Sequence, residues 1–130
     1  MIHTAMEGSE EPSPELLYAA GHWLFEAERY ADAATLFRLL AVTKPNDERA
    51  WVALGECHER VGHQRVALEM YGVGMVEAEP APRCALGRAR LLKNLGEDAD
   101  DAFSVARECI LEAQADELLL ILEACERMDH

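Results

Sequence analysis

Cys57 and His58 stand side by side, and a thiol beside an imidazole is the pairing a cysteine nucleophile needs. Adjacency defeats it here. Consecutive side chains on a helix point about 100° apart, so neither group can hydrogen-bond the other in the required way. Glu26, Glu56 and Glu59 could be drawn as an acid–base set. However, the chain holds 25 Asp and Glu residues, and a solvated helix face accounts for these three. His58 and His63 lack the i, i+4 spacing of a helical metal pair, and Gly62 breaks the helix between them. Gly72, Val73 and Gly74 fall within a helical pattern, follow no strand and lack the third glycine of a nucleotide loop. No catalytic residue, cofactor site or metal site emerges, and the expected class is not an enzyme.

Composition narrows the partners. A formal net charge of −13 over 130 residues argues against nucleic acid, whose phosphates need a basic face, and against anionic membranes. Cys57, Cys84, Cys109 and Cys125 are widely spaced without a C-x-x-C knuckle, so buried, reduced thiols and a cytoplasmic home are expected. Met1 to Glu11 shows neither a basic start nor an apolar run of an export signal.

Any function must then come from the elements that carry these residues, and those elements repeat. A shift of 34 residues places Gly21 on Gly55, Ala33 on Ala67, Phe37 on Tyr71, Leu17 on Trp51 and Gly62 on Gly96. That is the period of the tetratricopeptide repeat, a helix–turn–helix unit that must stack on its neighbours to bury its apolar face. Residues 1–13 are acidic and read as a disordered segment. The domain runs over 14–130, with repeats at about 14–47, 48–81 and 82–115 and a capping helix at about 116–128. The first helix opens at Ser13-Pro14, a cap followed by proline at the first helical position. Gly21/Gly55/Ala89 are read as small because a partner helix crosses there, with Phe37/Tyr71 filling the adjacent space. The third repeat needs one extra residue after Gly96 to align Ala102 with Ala67. The expected fold is all-α: three repeats and a cap in a right-handed superhelix with a concave groove.

The combination of Ala53 to Cys57, Gly62, Ala67, Tyr71 to Gly74, Pro82-Arg83 and Leu91-Leu92 with Gly96-Glu97 resembles the class II chaperones of bacterial type III secretion systems. These cytosolic tetratricopeptide proteins hold hydrophobic translocator subunits before export. The resemblance covers roughly residues 14–113. It implies a secreted translocator or other export substrate as partner and allows a homodimer, although such chaperones carry a longer N-terminal helix than the dozen residues found here.

Carried over by repeat position, the resemblance puts Tyr18, His22 and Phe25 on the concave face of the first repeat. It puts Val52, Glu56 and Glu59 there in the second, and Leu86, Arg90 and Lys93 in the third. The groove so read is apolar at one end, acidic in the middle and basic at the far end. The offset of Tyr18 and Phe25 from the packing positions Leu17, Gly21 and Leu24 supports their concave exposure. The function implied is stoichiometric: an extended apolar segment of the client is covered until export. The alternative is a general tetratricopeptide adaptor that docks a partner protein.

Overall fold

A computed structural model describes residues 12–128. The acidic segment expected at the N-terminus lies, up to residue 11, outside the described residues. Seven helices follow in order: α1 Pro14–Glu26, α2 Tyr30–Thr43, α3 Glu48–Arg60, α4 Gln64–Glu77, α5 Pro82–Asn94, α6 Asp100–Glu112 and α7 Glu117–Arg127. No strand occurs among the described residues. Each helix packs on the next in the chain. In addition α3 touches α5 and α5 touches α7, so the first helices of successive pairs line up side by side.

Local chemistry sets the helix ends. Ser13 accepts the Leu16 N–H on its side chain at 3.1 Å, and Asp47 accepts that of Arg49 at 3.1 Å. α5 has no cap of its own, because Ala81 precedes it. There the carboxylate of Glu48, at the start of α3, accepts the N–H groups of Arg83 and Cys84 at 3.2–3.3 Å. One pair thus caps the next.

The turn after each first helix is built the same way three times. Glu28, Gly62 and Gly96, one period apart, all take left-handed backbone at φ 62°, 85° and 80°. The next N–H then reaches back to close the helix: Arg29 to Leu24, His63 to His58 and Glu97 to Leu92, at 2.8–3.0 Å. Glycine adopts this conformation freely; Glu28 adopts it at a cost.

Burial follows the repeat register. Leu17, Phe37, Leu40 and Leu54 form the core of the first half, and Phe103, Ile110, Leu118 and Leu122 that of the second. Tyr71, Ala67 and Leu91 join them. A methyl group at Gly21 would lie 2.6 Å from the Phe37 ring, and one at Gly55 would collide with the Tyr71 ring. Gly74 is equally pressed, against Trp51 and Cys84, whereas Gly72 faces open space. Gly72 therefore has no close-packing role. Cys57, Cys84 and Cys125 are buried and free, and Cys109 is free and half-buried. Burial pushes the Cys57 thiol up to about 11, helped by the charge of Glu56. No described helix is long and apolar enough to cross a membrane.

Candidate functional site

The first helices α1, α3, α5 and α7 share one face, and along it runs a row of open hollows. One, of about 360 Å³, lies between α1, α3 and α5 and is lined by Tyr18, Arg49, Val52, Ala53, Glu56 and Arg83. The next, of about 190 Å³, reaches α7 through Leu118, Ile121 and Cys125, opposite Val52, Leu86 and Arg90. A third, lined by Glu56, Glu59, Arg60 and Arg90, joins both. Shared walls make them one groove. Shallow hollows in a row suit an extended chain with side chains dropping in, rather than a compact ligand that one enclosed pocket would hold.

Six of the nine expected groove residues meet here: Tyr18, Val52, Glu56, Glu59, Leu86 and Arg90. Tyr18 is half-buried, tilted against Phe37 with ring centres 6.0 Å apart, and its outer face carries the Arg49 guanidinium at 5.0 Å. It therefore belongs to core and groove at once. Leu86 is 7% exposed and forms floor rather than wall, because α7 covers it.

The other three are placed differently. Phe25 turns to the α1–α2 corner, edge-on to Tyr30 at 5.1 Å and beneath Arg60 at 4.9 Å, and lines none of the hollows. His22 stacks on Tyr18 at 6.0 Å on the exposed rim. Lys93 is a correction. Its ammonium donates to the carbonyls of Cys125 and Glu126 at the end of α7, so it closes a helix terminus instead of making a basic end to the groove.

Two charge clusters hold the walls. Arg49 clasps both Asp47 and Glu15, at 2.7 and 2.9 Å, and these hydrogen bonds from Arg49 lower the pKa of both carboxyls. Across the groove, Glu59 accepts from the Tyr71 hydroxyl and from Arg90, Nη1 to Oε1 at 3.1 Å. Burial and this bond raise the Tyr71 pKa, so its hydroxyl stays a donor.

Besides Arg49, Arg60 and Arg83, the residues missed in the sequence are those of α7. Their signal was present. With the extra residue after Gly96 counted, the position of Tyr18, Val52 and Leu86 falls on Ile121, and that of His22, Glu56 and Arg90 falls on Cys125. The cap thus supplies the fourth first helix of the groove.

Fold and groove define a helical-repeat protein of the tetratricopeptide class. No family profile matches the chain. The crystal structure of PcrH from Pseudomonas aeruginosa is similar at 30% identity and TM-score 0.72, covering 92% of this chain and 96% of that one. The Yersinia enterocolitica type III secretion chaperone SycD, solved with a peptide of the translocator YopD, is similar at 26% identity and TM-score 0.70, covering 90% and 95%. The low calcium response locus protein H of Yersinia pestis is 29% identical over 98 residues, which are 74% of this chain and 58% of that protein's length. The chain belongs to the family of type III secretion translocator chaperones.

Proposed function

We propose that this protein is a type III secretion chaperone that holds an extended apolar segment of a translocator subunit in the α1–α3–α5–α7 groove. It keeps the client from aggregating or assembling before export. The observation that carries this reading is the row of side-chain-sized hollows in one register along four successive first helices. The YopD peptide held by SycD supports the client class. Its action is stoichiometric and cytoplasmic: cover, hold and release, with no bond made or broken. The groove residues we assign to it are Tyr18, Val52, Glu56, Glu59, Leu86, Arg90, Leu118 and Ile121, with His22 at the rim. Residues 14–128 act as one binding unit.

The test is co-expression with a type III secretion translocator subunit, followed by co-purification and a measured affinity for the client's bound segment. Val52→Asp and Ile121→Asp each put a charge on the apolar floor and should weaken binding by about 2 kcal/mol or more, the range of a binding hot spot. Both positions are partly open to solvent, so the free variants should melt close to the parent. Unchanged client affinity in both would refute the groove as the client site.

A further inference from the structure

Two carboxylates line the hollows of the groove, Glu56 and Glu59, and the fold answers only one of them. Glu59 holds Tyr71 and Arg90. Glu48 holds two backbone N–H groups of α5, and Asp47 and Glu15 share Arg49. Glu117 stands 3.9 Å from Arg83. Glu56 alone touches all three hollows and has neither a hydrogen bond nor an ion pair among the described residues.

The basic side chains around it are engaged elsewhere. Arg60, one turn along α3, donates to the Tyr30 hydroxyl at 3.2 Å and covers the Phe25 ring. Arg90 is committed to Glu59, and His22, facing from α1, stands 3.8 Å from Glu26. The Glu56 carboxyl pKa is raised, first by desolvation within the concavity and then by the charge of Glu59 beside it. Next to this unanswered carboxylate the floor turns apolar, through Val52, Leu86, Leu118 and Ile121.

We propose that Glu56 selects for a cationic side chain: the segment in the groove carries a Lys or Arg next to the apolar residue seated on Val52, Leu86 and Ile121. This rests on the groove being the client site. A Lys ammonium or Arg guanidinium there gives Glu56 its missing partner and displaces no existing one. An acidic side chain would meet Glu56 and Glu59 on the same floor, so the position attracts one charge and rejects the other.

Nuclear magnetic resonance titration of the whole chain with three blocked dipeptides tests it: acetyl-lysyl-leucine amide, its norleucyl analogue and its glutamyl analogue. The readout is the methyl signals of Val52 and Ile121. The lysyl compound should bind about five-fold more tightly than the norleucyl one, as fits a half-screened ion pair, and the glutamyl compound most weakly. In Glu56→Gln the lysyl advantage over the norleucyl compound should vanish. Equal lysyl and norleucyl affinities in the parent, or a lysyl preference that survives in Glu56→Gln, would overturn the inference and leave the groove standing. If none of the three moves those methyls, groove and inference fall together.

Discussion

Gly55 beneath Tyr71 and Ala89 beside Ala106 are the same joint, built twice with opposite solutions. In the second repeat a buried aromatic ring leaves no room for a methyl on the facing helix. In the third, both positions are alanines, each 0% exposed, and Phe103, also buried, supplies the bulk from the neighbouring position. The first repeat follows the second, with Phe37 over Gly21. What the fold retains is a closed, buried crossing, not the residues that make it up. The second joint carries one thing the others lack. The Tyr71 hydroxyl holds Glu59, which holds Arg90, so a packing position is wired into the groove wall.

The comparison is most severely broken by Tyr71→Ala. Removing a fully buried ring should cost about 3–5 kcal/mol in chemical denaturation. A loss below about 1 kcal/mol would show that the joint collapses freely. Gly55→Ala should destabilise by about 1–3 kcal/mol, because its methyl meets a ring that the core holds in place. At the third joint the sign reverses: there the smaller residue does harm, and Ala89→Gly should cost about 1–2 kcal/mol from the lost methyl and the freer backbone. If Gly55→Ala melts no lower than the parent, the two joints do not differ as described.

Tyr71→Phe converts the second joint into the first and should cost about 0.5–1.5 kcal/mol near pH 8, the worth of one hydrogen bond. This difference depends on pH. The folded tyrosine has a raised pKa, so the unfolded chain gives up that proton first, near its ordinary value of 10.0. The parent therefore keeps this stability below pH 10 and loses it as the pH climbs, while the phenylalanine variant has no such proton to lose. Denaturation at pH 8 and pH 11 should show the gap between the two closing; a constant gap would sever the hydroxyl from the packing argument. The smallest effect belongs to the turns. Glu28→Gly relieves left-handed strain that Gly62 and Gly96 avoid and should raise stability by about 0.5–1 kcal/mol. A drop in melting temperature would mean that Glu28 earns its place through contacts the turn does not reveal.

The period of 34 made the helices, their turns and the small-against-large joints of the first two repeats readable, because each depends on residues at fixed local spacing. Gly62 and Gly96 marked two of the three left-handed turns that separate the helices within the repeats; Glu28 hid the first, since no rule of composition puts glutamate there. The middle of the groove was also legible, because Val52, Glu56, Leu86 and Arg90 inherit their direction from the repeat. Lys93 shared that register yet turned away. The open carbonyls at the end of α7 lie within its reach, and a long flexible cation goes where acceptors are unsatisfied.

The chain by itself therefore determined which face of each first helix looks inward, since 3.6 residues per turn and a repeated unit settle that before any packing occurs. Only the tertiary structure decided what each inward residue does. Phe25 turns to a corner, Lys93 closes a helix, Glu59 is satisfied and Glu56 is not. Those outcomes depend on groups brought from about thirty residues away, such as Arg90 against Glu59. A register carries direction, but the pairing of charges is set by distance in space, and helix stacking fixes that distance.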